Sequence, residues 1–458
     1  MKKLLRIMRK RSKMSRRRFL VNSVSGLILV NLPQISFASS NPDIVVIGAG
    51  AAGLAATNYL TQQGKTVICI EADNHIGGRV YTDNSTFGVP YDLGAHWIES
   101  SEKNPYKIYG EKNKSEFNVY PEGSEKYAYY EGDKRLIWPE DKEVWKIYDA
   151  AEVAIAKTRK DIAPIEVVEN KTSEYYDTVH TIIGPWDIAK DFSHYSCKDY
   201  NDAEWGPGKE WHCEQGYGAL VAHRWKDIPV KLNTEAKEIK WDGQGVKVET
   251  NNGTISAKAC VVTVSTGILN ARKIKFTPDL SPEKYESFSG ISMGVYNHIA
   301  LQFKKNFFDV KEKDSYLYYK IKSQNAPSPR GFCGFLNASG SNLSYFDTGG
   351  EFARELEQEG EQASIDFVLN ELRSIFGSKV DKNLTKGHAT KWASNPFTLG
   401  SYASAEPGKA HLREVLRQSV GDRIFFAGEA TAKDWASVEG AHNSGETTAK
   451  EILKIIKS

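Results

Sequence analysis

Between Asp43 and Arg79 the chain reads DIVVIGAGAAGLAATNYLTQQGKTVICIEADNHIGGR, and no other stretch restricts the fold as tightly. Ile44 to Ile47 is a β-branched run too short for a helix, and it predicts a buried parallel strand. Gly48, Gly50 and Gly53 follow as G-x-G-x-x-G around Ala49. The first glycine permits the tight turn, the second lets backbone approach a pyrophosphate, and the third lets helix and strand pack closely. Ala51 to Gln63 is alanine-rich and predicts a helix whose first amides, at Ala51 and Ala52, face the phosphates with the positive end of the dipole. Gly64 ends it. Thr66 to Ile70 predicts a second strand, and Glu71 stands twenty-one residues after Gly50, where a carboxylate can accept both ribose hydroxyls. Strand, glycines, helix, strand and acid in register predict a Rossmann-like dinucleotide-binding unit.

At 458 residues the chain exceeds one compact core, so two or three interleaved domains are expected. Residues 1–38 read differently from the rest. They hold ten Lys or Arg and no acid, then an interrupted apolar run from Phe19 to Ile35, then Ser36-Phe37-Ala38 as a small-x-small cleavage pattern. Ser15-Arg16-Arg17-Arg18-Phe19-Leu20 resembles the twin-arginine motif, which implies export of an already folded protein to the periplasm or beyond, with no stable membrane insertion after cleavage. Without this segment Lys plus Arg falls from 60 to 50 against 58 acids, taking the net charge from +2 to −8. An acidic body attracts a cationic small molecule and argues against nucleic acid. The five cysteines are widely spaced without C-x-x-C, so no zinc or other metal site is expected, and Cys197 with Cys213 is the pair nearest to a bond after export.

Gly77-Gly78-Arg79 resembles the G-G-R element of FAD-dependent amine oxidases, where it adds contacts to the flavin diphosphate. Further blocks carry the same resemblance. Tyr91-Asp92-Leu93-Gly94-Ala95-His96-Trp97-Ile98-Glu99 is similar to the family's G-A-x-W-I/V segment beside the flavin ring, with a glutamate at the position where a plant type contacts the substrate amine. Gln215 to Val221 resembles the passage back into the flavin domain, and Leu232 to Ile239 a segment that meets adenine through the backbone at Ala236. Trp392 to Tyr402 resembles W-x-x-x-P-x-x-x-G-S-Y. Arg423 to Glu429 with Ser437 to Gly445 resembles the terminal signature, in which Gly428 and Glu429 meet the ribityl and phosphate region and the helix after Ser437 and Val438 points its amides at the flavin pyrimidine.

The resemblance implies an α/β fold, with a GR2-type Rossmann-like FAD-binding domain (39–100, 211–273, 391–458) interleaved with an α+β substrate domain. That domain would have a helical part at 101–210 and a sheet part at 274–390. Between Ser193 and Gly208 a loop is expected. FAD would be noncovalent, since Ser401 stands where monoamine oxidases carry the cysteine that attaches it. The implied reaction oxidises an amine, most simply a polyamine, to an imine that hydrolyses to aldehyde and amine, while O2 becomes hydrogen peroxide. Tyr402 and Trp392 would orient the substrate, Glu99 would anchor a distal ammonium, and His298, where most relatives have lysine, would hold a water near flavin N5. Ser437 replaces the second tyrosine of the monoamine oxidase aromatic pair, leaving one wall open to a long substrate. Three alternatives stay open: an L-amino-acid oxidase, an exported flavin-binding protein without turnover, and a dehydrogenase that passes electrons to a quinone or cytochrome.

Overall fold

The computed structural model describes residues 41–456 apart from 100–101, 123–126, 138, 207 and 323–325, so the export signal read at 1–38 lies outside the described residues. Ile44–Ile47 (β1), Ala51–Gln62 (α1) and Val67–Ile70 (β2) form the parallel βαβ unit, with Ile44 opposite Val67 and Ile47 opposite Ile70. On its other side β1 pairs in parallel with Ala259–Val262, which pairs with Ile424–Phe426, and Val230–Lys231 extends the sheet beyond β2. Five strands from four distant parts of the chain thus make one parallel sheet.

The uninterrupted apolar run of β1 is explained by its two buried faces. Ile44 and Val46 enter the core against α1 and the C-terminal helix Val438–Ile455, while Val45 and Ile47 enter a second core beneath a four-stranded sheet. Small residues let the two helices lie close. An ideal Cβ on Gly445 would fall 2.1 Å from the Ala52 carbonyl oxygen, and one on Gly53 would fall 1.9 Å from that of Gly48.

A seven-stranded mixed sheet forms the other half of the molecule, running through Leu384–Ala389, Tyr296–Phe303, Leu343–Gly349, Cys333–Leu336, Ser315–Tyr319, Tyr127–Glu131 and Lys134–Leu136. The last two strands come from a stretch expected to be helical. Their aromatic residues pair with an equally aromatic neighbour, Tyr127 to Tyr130 against Tyr316 to Tyr319, and this cross-strand match takes them out of the helical pattern, which holds at Pro105–Lys112, Lys142–Lys157, Tyr176–Thr181 and Cys197–Asn201. Residues 274–293, expected with this sheet, instead lie with the nucleotide side. Lys275–Thr277 pairs with Ala236–Lys240, and Ile291–Met293 pairs with Ala403–Ala405. The expected loop at 193–208 contains the short helix Cys197–Asn201.

Between the halves, Tyr176–Thr181 continues into a π-helical turn at Ile182–Trp186 that contains Pro185. Gly349 packs on it so closely that a Cβ would lie 1.8 Å from the Pro185 oxygen. All five cysteines are free and buried, so the Cys197–Cys213 bond is not formed. No helix among the described residues is long and apolar enough to cross a membrane.

Gly445→Ala is expected to lower stability by about 1–3 kcal/mol by prying the C-terminal helix from α1. Gly243→Ala, where a Cβ meets nothing within 4 Å, should leave the urea midpoint unchanged.

Candidate active site

The carboxyl ends of four parallel strands open onto one cavity of 690 Å³: Ile47 and Gly48 after β1, Ile70 and Glu71 after β2, Thr263 after Ala259–Val262, and Gly428 after Ile424–Phe426. This is where parallel α/β sheets bind ligands, because helix N-termini and unpaired backbone amides converge there. Gly50, Ala51 and Ala52 line it at the start of α1, whose first amides have no partner within the helix. Gly48 sits at φ +106° to make the turn. Glu71 is held by two amides, the Ala49 N–H donating to Oε2 at 2.7 Å and the Asp73 N–H to Oε1 at 2.9 Å, so its carboxylate meets the cavity already aimed. Ala49 and Gly53 do not line the cavity. The amide and carbonyl of Ala49 are spent on Glu71 and Gly77, and Gly53 is pressed against the Gly48 carbonyl, so both shape the turn from behind.

Arg79 joins three distant segments at the cavity wall. Its Nη1 donates to the Ser401 carbonyl at 2.8 Å and to Glu429 Oε1 at 2.8 Å, while Glu429 Oε2 accepts from the Ala403 and Ala436 amides at 3.3 Å each. Gly78, Ala236, Gly428, Ser437 and Val438 also line the cavity. The Ser437 hydroxyl accepts from the Gly440 N–H at 2.8 Å and caps the helix Val438–Ile455, whose N-terminus therefore opens on the cavity. These residues fit an adenine dinucleotide: a glycine-lined cradle at one helix N-terminus for the diphosphate, an anchored acid for the ribose, and a second helix N-terminus farther along. No cysteine lines the cavity among the described residues, so the cofactor has no thiol to bond with there.

The far part of the cavity is aromatic and acidic. Gly94, Ala95, Trp97 and Glu99 line it together with Trp392, which packs beside Gly94, and Tyr402. The Trp392 Nε1–H donates to the Leu93 carbonyl at 2.9 Å, and the Tyr402 hydroxyl donates to the Asp187 carbonyl at 3.1 Å. Trp97 meets Trp186 edge-on at 6.0 Å, and the π-helical turn delivers Trp186 and Asp187 into the cavity. Glu99, Asp187, Glu210, Asp434 and Glu439 all face this space. Burial and the charges of Glu210, Asp434, Glu439 and Asp187 push the Glu99 carboxyl well above its ordinary range, while burial and Glu152 push Asp187 up to about 7. Tyr402 is held neutral by burial and by Asp187 and Glu99, which keeps it a hydrogen-bond donor.

His298 differs from expectation. It lines the cavity, yet Nδ1 lies 2.6 Å from Asp347 Oδ1 and Nε2 lies 2.8 Å from the Gly94 carbonyl oxygen, so neither nitrogen is left to hold a water. Burial opposes its charge, but the Asp347 carboxylate and the Gly94 carbonyl more than offset this and move it above the ordinary imidazole value. His96 also departs from its assignment. Its side chain is turned away from the cavity and packs among Trp97, His298, Phe335 and Tyr345, and neither ring nitrogen has a partner. Burial first, then the nearby His298 and His212, hold it neutral.

Asp187, Asp434, Tyr296 and Asp347 belong to none of the motifs read from the sequence. Asp347 had a visible signal, as the lone acid in Leu343–Gly349, a strand buried along its whole length. The others are brought to the cavity only by folding.

Comparison with known proteins agrees with this architecture. The profile described as flavin containing amine oxidoreductase matches residues 188–453, and that of an NAD(P)-binding Rossmann-like domain matches residues 46–109. Polyamine oxidase 4 of Oryza sativa subsp. japonica is 27% identical, over 94% of this chain and 92% of its own. Polyamine oxidase 2 of Arabidopsis thaliana is 28% identical, over 90% and 88% respectively. A solved structure of putrescine oxidase bound to putrescine superposes with a TM-score of 0.72 at 18% identity, over 90% of this chain and 99% of that one, a likeness of fold. With the profile spanning more than half of its length, the chain belongs to the flavin containing amine oxidoreductases, enzymes that use FAD to oxidise CH–NH donors.

Proposed function

We propose that the substrate is a polyamine, on one observation: Glu99, Asp187, Glu210, Asp434 and Glu439 crowd the aromatic end of the cavity. Burial and neighbouring acids raise Glu99, Asp187 and Asp434, so a cation is the partner these groups favour, and a chain of ammonium groups separated by methylenes supplies both charges and apolar contact. The putrescine and polyamine oxidases among the similar proteins support the same substrate class.

Glu99 anchors a distal ammonium, and Asp187 neutralises a second. Trp392 and Tyr402 wall the path, with Tyr402 fixed by the Asp187 carbonyl so that its ring cannot swing across the opening. Ser437 leaves room at the opposite wall because its hydroxyl is folded back on the helix end. Glu71, Arg79, Glu429 and the glycine cradle hold the cofactor. When bound, FAD supplies the two-electron acceptor that turns the amine into an imine, water then gives aldehyde and a smaller amine, and O2 takes up the two electrons with two protons as hydrogen peroxide. The protein's task is to strip water from the amine and aim it. Against an L-amino-acid oxidase, Arg79 is the only arginine facing the cavity among the described residues, and it is committed to Ser401 and Glu429. The basic leader with Arg16 and Arg17 supports action in the periplasm or outside the cell.

Hydrogen peroxide should form with spermidine or putrescine in preference to tyramine and amino acids, and silence with every amine returns the chain to a flavin carrier without turnover. Glu99→Gln should raise the KM for spermidine about tenfold, as loss of one charge-assisted contact does, and leave that for tyramine nearly unchanged. Asp187 is raised because its charged form is disfavoured, so it becomes anionic only as pH rises through about 7. The KM for spermidine should therefore fall across that range, and Asp187→Asn should remove that step. Glu71→Ala, which leaves the Ala49 and Asp73 amides unpaired, should weaken FAD binding about tenfold or more, read from the fluorescence of released flavin. Replacing Arg16 and Arg17 with lysine should leave active enzyme in the cytosolic fraction, and unchanged export removes the twin-arginine reading.

A further inference from the structure

His298 and Asp347 stand directly opposite each other on the paired strands Tyr296–Phe303 and Leu343–Gly349. The imidazole contacts Asp347 Oδ1 at 2.6 Å through Nδ1 and the Gly94 carbonyl at 2.8 Å through Nε2. A carbonyl oxygen can only accept, so Nε2 carries a proton. A carboxylate likewise only accepts, so Nδ1 carries the other. The second oxygen of Asp347 accepts from the Tyr296 hydroxyl at 2.7 Å, which uses its remaining side. Both residues are almost wholly buried, and the His298 backbone is pinned by its N–H to Thr390 Oγ1 at 2.9 Å.

We infer that Asp347 is a positioning residue that keeps His298 doubly protonated, placing a permanent positive charge on the wall of the cofactor cavity. The inference rests on the binding of FAD in this cavity and not on the choice of amine.

The surroundings agree. Tyr345 lies against one face of the ring at 4.9 Å and Tyr296 meets it edge-on at 5.6 Å, both neutral phenols. His96 at 5.1 Å is kept uncharged by burial and by His298 itself, and the Asp92 carboxyl adds a further negative group. The cation is therefore compensated by a carboxylate on the side away from the cavity. A fixed charge so placed favours whichever form of the bound cofactor carries more negative charge, which is the reduced one. A histidine thereby supplies a stable cation without the long flexible stem of a lysine.

The FAD-loaded protein labelled with 15N-histidine decides the first part, the His298 resonances being assigned by their loss in His298→Gln. Both nitrogens should report protonated imidazole from about pH 6 to pH 9, well past the ordinary titration. An unprotonated nitrogen at neutral pH overturns the inference, and this measurement needs no variant of Asp347 to fold. For the second part, the equilibrium between oxidised and reduced FAD is read against a reference dye. Asp347→Asn should shift it toward the oxidised form by about tenfold or more, and Asp347→Glu should recover most of that shift. A folded, FAD-loaded Asp347→Asn with the wild-type equilibrium sinks the role assigned to Asp347. No amine is present in either measurement, so failure of the polyamine reading leaves both outcomes intact.

Discussion

One guanidinium holds the cavity together. Arg79 leaves the end of the first βαβ unit and reaches the Ser401 carbonyl and the Glu429 carboxylate, more than three hundred residues away in each case. Glu429 in turn gathers the amides of Ala403 and Ala436. The two ends of the chain are thus closed around one space by a half-buried ion pair whose hydrogen-bonding groups are well used. The strand Ile424–Phe426 and the helix Val438–Ile455 take their places in the same sheet and helix layer that the opening unit begins.

Around this closure the charges are arranged by function. At the nucleotide end the acids are satisfied before any ligand arrives: Glu71 by two amides, Glu429 by Arg79 and two more. At the aromatic end Glu99 and Asp187 face the space without such partners and are raised by burial, their own mutual repulsion adding to the shift at Glu99. The first arrangement preorganises a binding surface, while the second leaves acids whose charge is disfavoured in the empty cavity. His298 stands between these regimes, a charged group whose counter-ion is turned to the protein side.

The seven-stranded sheet explains how such a pocket stays rigid. Its aromatic strands stack ring against ring, as in Tyr316 with Tyr318 and Phe335 with Tyr345, and they brace Trp97 and His96 from behind. The π-helical turn at Ile182–Trp186 is locked by Gly349 from that sheet, so the extra residue in the turn projects Trp186 and Asp187 inward and not along the helix.

The nucleotide half was legible because its chemistry is local. A β-branched run, three glycines at fixed spacing and an acid after the second strand each describe a backbone requirement met within about thirty residues, and short-range sterics leave little choice. The terminal blocks at Trp392–Tyr402 and Gly428–Val438 were legible through their resemblance to the family's motifs and not from local spacing alone. What the residues alone did not determine is which side chains share a face or a partner. His96 belongs to a block read by resemblance, and only the fold shows its ring packed among Trp97, Phe335 and Tyr345, off the cavity lining. His298 was read as free to hold a water, yet its two nitrogens were claimed by Asp347 across a strand pair and by Gly94 from another element, contacts set by sheet register. Tyr127–Glu131 is a strand because it pairs with Ser315–Tyr319, far along the chain. Local spacing decided where the cofactor lies. Long-range packing, through burial and mutual repulsion, decided the protonation of the groups around it.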